Sequence, residues 1–277
     1  MTRAAVYGSH TWRNWKHDHH WATVPSDPLG AGNTALLANL TALGVTTLAF
    51  YDVRQASSLT LSGATVTGWD DVRGSSGFGP HLDGTGHAPA WDAINLIISN
   101  AVSTQFLHSA AVSTFDMTTN GGLTLCIIGS VAMTAADYGY SIADSSSAHR
   151  LIAALNSATT NGKIQGKYDG GGTIGSTTVA SDGTIRTIFL TSKSASSHRA
   201  IGIPNAAIVN PPDVTPAVGN NALTIFGFWN AGTNTGCKIR AALVLAGDLG
   251  VGSGTSYTTP MTTIDTWAAT YHGRVAA

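Results

Sequence analysis

Leu36, Leu37, Leu40 and Leu43 recur three and four residues apart in NTALLANLTALG, with polar positions between them. That spacing predicts a short amphipathic helix, with Asn33 or Thr34 as its N-cap and Gly44 as its stop. From Val45 onward the pattern changes to short apolar runs divided by Gly, Asn, Asp and Pro clusters, which reads as strands joined by turns. Strands are predicted at 45–53, 64–69, 94–98, 123–133, 138–143, 149–155, 163–168, 173–179, 184–192, 199–203, 222–228 and 237–246. MTTIDTWAATY (261–271) predicts a second short helix. So many strands with no helices between them argue for an all-β, two-sheet antiparallel jelly-roll sandwich. The predicted organisation is an N-terminal attachment arm with its helix over 1–45, followed by the sandwich over 46–277.

Composition agrees with this reading. All fifteen acidic residues are Asp, and no Glu occurs. Charged residues make up 10% of the chain, against roughly 25% in an ordinary soluble domain. Glu, Lys and Arg favour exposed helix, whereas Gly, Ser, Thr and Asp suit turns and strand edges. The formal charge is −1 and the fourteen Lys and Arg residues are scattered, so no basic patch is available to neutralise a run of phosphates. No segment approaches the eighteen or more apolar residues of a membrane span, and the first residues lack the apolar stretch of a secretory signal. Nucleic acid and membrane are therefore not expected as partners. Cys126 and Cys237 each sit in an apolar strand-like run, which points to two buried free thiols rather than a disulfide.

The stretch LAFYDVRQASSLTLSGATVTGWDDVRGSSG (48–77) resembles the opening of laminin G-like domains of the concanavalin A-like lectin and glucanase superfamily. The matching positions are Phe50, Tyr51 and Asp52, then Val66, Trp69, Asp70 and Gly74. The similarity continues through APAW (88–91), an extended run INLIISNAVSTQFLHS (94–109), the strand GLTLCIIGSV (122–131), ALVLAGDLG (242–250) and a terminal helix around Trp267 and Tyr271. It covers about residues 46–273 and implies a concanavalin A-like sandwich. Where the family has a run like Phe-Asp-Gly before its long strand, this chain has Ile98, Ser99 and Asn100. Hydrolases resembling this fold carry two Glu residues flanking an Asp on one strand, and no such strand can exist here. A retaining glycosidase needs two carboxyls about 5 to 5.5 Å apart, and no predicted strand places Asp at alternate positions on one face.

Candidate chemistry falls in a few places. Trp69, Asp70, Asp71 and Arg73 form the densest polar and aromatic cluster. It reads either as a Ca²⁺ or sugar site, with Asp70 and Asp71 as ligands, or as a core Trp followed by two turn-capping Asp residues. WRNWKHDHHW (12–21) places His17, His19 and His20 among Trp12, Trp15 and Trp21. Its spacing is irregular for a structural metal site, so the Trp residues read as anchors of an assembly arm with the His residues at its rim. The loops PNAAIVNPPDVTPAVGNN (204–221) and WNAGTNTG (229–236) offer Asn220, Asn221, Trp229, Asn230 and Asn234 as glycan contacts. GGGTIG (170–175) fits a dinucleotide pattern, but a strand and turn follow it where a helix is required.

These features lead to the expectation of a non-enzymatic structural protein of a bacteriophage particle surface, either a capsid decoration or a tail or fibre component. Its lectin-like module would touch host surface polysaccharide, and its partners would be other virion proteins and copies of itself. The expected location is the virion, reached from the host cytoplasm without a signal peptide. No cofactor is expected, Ca²⁺ at Asp70 and Asp71 being the one ion considered. The alternatives are a free carbohydrate-binding module and a divergent polysaccharide-degrading enzyme.

Overall fold

The computed structural model describes residues 30–73, 79–131, 138–143, 150–156, 163–168, 173–193, 199–204, 220–228, 231–232, 236–249 and 258–273. Helix α1 (Ala31–Ala42) leads into β1 (Thr47–Asp52), β2 (Leu59–Ser62), β3 (Thr65–Trp69), β4 (Leu82–Asp83), β5 (Ala90–Asp92), β6 (Ile97–Ser99) and β7 (Leu107–Ser109). Then come β8 (Gly122–Ser130), β9 (Tyr138–Ala143), β10 (Arg150–Asn156), β11 (Lys163–Tyr168), β12 (Thr173–Ala180), β13 (Arg186–Lys193) and β14 (Arg199–Gly202). The last elements are β15 (Ala222–Ile225), β16 (Gly227–Phe228), β17 (Ala231–Gly232), β18 (Lys238–Ala246) and α2 (Thr259–His272).

One half of the sandwich runs β12-β11-β10-β9-β15-β7-β4-β3, with β2 on β3. The other runs β14-β13-β8-β18, with β1 and β6 both beside β18. Short β5 pairs with both β3 and β6, so hydrogen bonding continues from one half into the other. Strand pairing is antiparallel throughout the described residues. The all-β two-sheet sandwich expected from the strand pattern is thus the observed architecture, with two helices added as a third layer.

That third layer explains why two strands read as unbroken apolar runs. All nine residues of β8 are buried. Leu123, Leu125 and Ile127 face the inter-sheet core with Leu82, Leu107, Ile142, Leu223 and Ile225. Cys126 and Ile128 face the opposite way, into a second core made by Leu36 and Leu40 of α1 and by Met261, Ile264 and Trp267 of α2. Strand β18 divides likewise, Ala242 and Val244 inward and Leu243 and Leu245 under the helices. A strand covered on both faces has no polar alternation to show. Cys126 and Cys237 are both buried, and no disulfide joins them.

Helix α1 begins earlier than its sequence suggests. Gly30, with φ of 66°, precedes Ala31 at the start, and Asn33, expected as a cap, is buried inside the first turn. Leu43 lies just past the helix and is exposed. The run 94–109, expected to be extended, is instead two short strands of three residues separated by a turn. The Gln105 side-chain oxygen accepts the backbone N–H of Ala101 at 2.8 Å within that turn, and such local side-chain bonding competes with a strand ladder.

One polar strut crosses the inter-sheet core. The Tyr140 hydroxyl on β9 lies 2.8 Å from the Ser130 carbonyl and 2.6 Å from that of Lys238. Burial pushes its phenol well above the ordinary pKa. Gly129 makes the approach feasible, since a Cβ there would lie 2.6 Å from the Lys238 carbonyl and 2.7 Å from the Tyr140 hydroxyl.

The helical layer is tied to β1 by a buried polar contact. Asp52 Oδ1 accepts the Arg54 backbone N–H at 2.8 Å, and His272 Nε2 of α2 lies 3.4 Å away. Burial alone raises the Asp52 pKa. The charge of His272, with hydrogen bonds from His272, the Arg54 N–H and the Asn33 side chain, outweighs burial and holds the carboxyl below its ordinary value. A carboxyl with a depressed folded pKa stabilises the fold fully above its unfolded pKa of about 3.9 and loses that contribution as pH falls through the folded value. Denaturant unfolding should show wild-type stability declining below about pH 4, with Asp52→Asn lacking part of that decline. Parallel pH profiles for the two proteins would refute the assignment.

Candidate functional site

The structure separates the residues singled out by sequence. Trp12, Trp15, His17, His19, His20, Trp21, Trp229, Asn230 and Asn234 lie outside the described residues. Asn220 is exposed. Asn221 is buried, and its Nδ2 donates to the Phe115 carbonyl at 2.7 Å, so it fastens one loop to another.

Trp69 and Asp71 belong to the interior. Trp69 is fully buried beside Tyr51, with ring centroids 5.5 Å apart. Asp71 Oδ2 accepts the backbone N–H groups of Phe50 at 3.0 Å and Gly79 at 3.1 Å, and Arg73 NH2 at 2.7 Å. Its Oδ1 accepts the Arg73 backbone N–H and Nε, both at 2.9 Å. Five donors occupy both oxygens, and Asp71 closes a turn rather than facing a metal ion. Among the described residues no group of three or more His, Cys or Asp side chains is arranged to hold a metal ion.

Asp70, next in the chain, points the other way and opens onto a face that sequence reasoning missed. Leu82 of β4 and Leu107 of β7 enter the inter-sheet core, so their neighbours His81, Asp83 and His108 stand on the opposite, outer side of the sheet. Asp83 is the register partner of His108 on one side and of Gly68 on the other. His81 Nδ1 is 2.7 Å from Asp70 Oδ1, with both side chains substantially exposed. A Cβ on Gly68 would lie 2.6 Å from His81 Cε1, so the missing side chain leaves room for the imidazole.

Exposed His87 lies beside this face, its ring covering Phe106 at the edge of the inter-sheet core. His87 stacks on Phe106 with ring centroids 4.3 Å apart and an interplanar angle of 25°, and Phe106 stands 5.5 Å from His108. His87 Nδ1 is 3.2 Å from the Thr104 carbonyl. A carbonyl only accepts, so Nδ1 carries the proton and Nε2 of the neutral ring is left as an acceptor. The Asp70 carboxylate fixes the same tautomer on His81. His108 Nδ1 is buried without a hydrogen-bond partner among the described residues. Asp83 Oδ1 accepts the Thr85 N–H at 2.8 Å. Hydrogen bonds from Thr85, with the charges of His108 and His81 adding to them, hold this carboxyl below its ordinary pKa.

Carboxylate and imidazole acceptors on the outer side of a sheet suit a ligand rich in hydroxyl groups. The sequence signal that could have found the face is the alternation His81-Leu82-Asp83.

No protein-family model and no curated protein sequence matches the chain. Among solved structures, Trypanosoma rangeli sialidase aligns with a TM-score of 0.54 at 14% identity, over 93% of this chain and 38% of that one. The same organism's sialidase in complex with sialic acid gives 0.50 at 10% identity, over 82% of this chain and 33% of that one. The galectin LEC-6 of Caenorhabditis elegans gives 0.33 at 16% identity, over 53% of this chain and 94% of that one. This chain therefore spans little more than a third of the length of the sialidases. At such identities the likeness shows the fold alone, and it is consistent with the concanavalin A-like class.

The expectation of a non-enzymatic protein on a bacteriophage particle is corrected by these comparisons. The similar structures are sialidases, which are enzymes, and nothing among these findings indicates a virion. The compositional argument for a particle surface also loses its force. The long apolar runs of β8 and β18 follow from their burial on both faces, one of them beneath a helical layer.

Proposed function

We propose that the chain is a carbohydrate-recognising sandwich of a glycan-processing protein, with Asp70, His81, Asp83 and His108 forming its contact face and His87 on Phe106 its aromatic flank. The observation that carries this reading is the convergence of two carboxylates and two imidazoles on the outer face of one sheet. The likeness in fold to the sialidases supports it by analogy only. Sugar hydroxyls donate, and the Asp70 and Asp83 carboxylates with the free Nε2 of His81 and His87 are acceptors for them. Charge-assisted bonds of this kind contribute about 1.5–3 kcal/mol each.

Titration of the full chain with a broad panel of oligosaccharides, followed by calorimetry or NMR, tests the proposal. Asp83→Asn and His108→Ala are each expected to weaken binding about tenfold or more while leaving the thermal transition near that of the wild type. Unchanged affinity in both variants would move the site elsewhere.

The Asp70–His81 pair, at 2.7 Å, favours a second reading in which the same face performs acid–base chemistry on a bound glycan. Sugar release measured in the same titrations distinguishes recognition alone from hydrolysis.

A further inference from the structure

We infer that this face selects uncharged glycans and discriminates against acidic ones, including those ending in sialic acid. The inference rests on the reading of the face as a glycan site and adds the class of ligand.

From Gly74 to His149 the chain contains no Lys or Arg. That window supplies β4 and β7 and the whole His87–Phe106 flank, and β2 and β3 contain no Lys or Arg either. The arginines described elsewhere are engaged away from the face. Arg54 lies over the Tyr271 ring at 4.6 Å, and Arg73 is held by Asp71 and by the Thr47 and Leu48 carbonyls. Arg186 pairs with Asp182, and Arg240 donates to the His272 carbonyl.

A carboxylate ligand needs a fixed cation or a cluster of N–H donors, and Arg is the usual provider because its fork matches the carboxylate geometry. This face offers Asp70 and Asp83 instead. Among the described residues of β3, β4, β7 and the flank the basic side chains are His81, His87 and His108, and His81 already has a carboxylate partner. At neutral pH an acidic sugar on β3, β4 and β7 would meet two like charges, and these strands contribute no Lys or Arg to offset them. A hydroxyl-rich neutral sugar meets acceptors for its O–H groups and incurs no such repulsion. The fold is shared with a part of the sialidases, but β3, β4 and β7 carry no Lys or Arg to meet a sialic acid carboxylate.

The test uses the full chain and matched oligosaccharides with and without a terminal sialic acid, titrated at pH 7.5 and low ionic strength. The uncharged member of a pair should bind about tenfold more tightly or better, with the gap narrowing in high salt. An Asp70→Asn/Asp83→Asn variant should reduce the ratio between the two members toward unity, whatever its effect on the uncharged member alone. Equal binding of both members, or preference for the sialylated one, would overturn the inference while leaving glycan recognition in place. Binding of neither member by the wild type, across the whole panel, would overturn the glycan reading itself and this inference with it.

Discussion

Replacing Trp69 with Ala is expected to destabilise the chain by about 3–5 kcal/mol, the range for removing a large aromatic from a packed interior. The indole is fully buried and packs against Tyr51, whose hydroxyl in turn reaches the Pro80 carbonyl. It also carries the end of β3, where Trp69 pairs with Leu59 of β2 and Leu82 of β4. The cavity would therefore open directly behind the strands that present Asp70, His81 and Asp83. Calorimetric or denaturant unfolding should show a fall in midpoint of about 10 °C, and Trp69→Phe should recover most of it. A loss below about 1 kcal/mol would mean that the indole is not the packing element described. The variant also separates the two sequence-based readings of Trp69, because a buried indole cannot serve as a sugar platform.

The second large effect is expected at Asp71. Asp71→Ala should cost about 3–5 kcal/mol, since it leaves the Arg73 guanidinium without its carboxylate in a largely buried setting. It also strips the Phe50 and Gly79 N–H groups of their acceptor. Asp71→Asn should cost less, because the amide retains one oxygen for these donors. Coupling between Asp71→Ala and Arg73→Ala in a double-mutant cycle measures the pair directly, and additive effects would rule it out as a unit. The arrangement holds because Arg73 also donates to the Thr47 and Leu48 carbonyls, which ties the turn after β3 to the first two residues of β1.

How far the sequence carried depends on the length of the signal. The two helices were legible because their apolar spacing is sustained over three turns or more, and the long strands because their runs are. Strands β4, β5 and β7, two or three residues each, fall below the reach of any periodicity. The resemblance to laminin G-like domains led to the right fold class, yet its extended run at 94–109 is broken by a turn. Function was harder for a reason of geometry. The face depends on Asp83 standing opposite His108, a pairing between residues distant in the chain that no local pattern fixes. Trp69 and Asp71 drew attention as a dense cluster, whereas the exposed member, Asp70, gains meaning only beside His81. The absence of Glu bears on one catalytic strand and says nothing about a site built from Asp and His.

The helical layer also gives the molecule a front and a back. Helix α1 begins, and α2 ends, at the same corner: a Cβ on Gly32 would lie 2.5 Å from the Tyr271 ring. The two junctions with the rest of the chain, at Gly30 and Gly273, thus sit side by side behind one sheet, while Asp83 and His108 look outward from the other. A support attached to the helices at this corner would be mounted on the back of the sandwich. Held there, the molecule would point its carboxylate–imidazole surface away from the support.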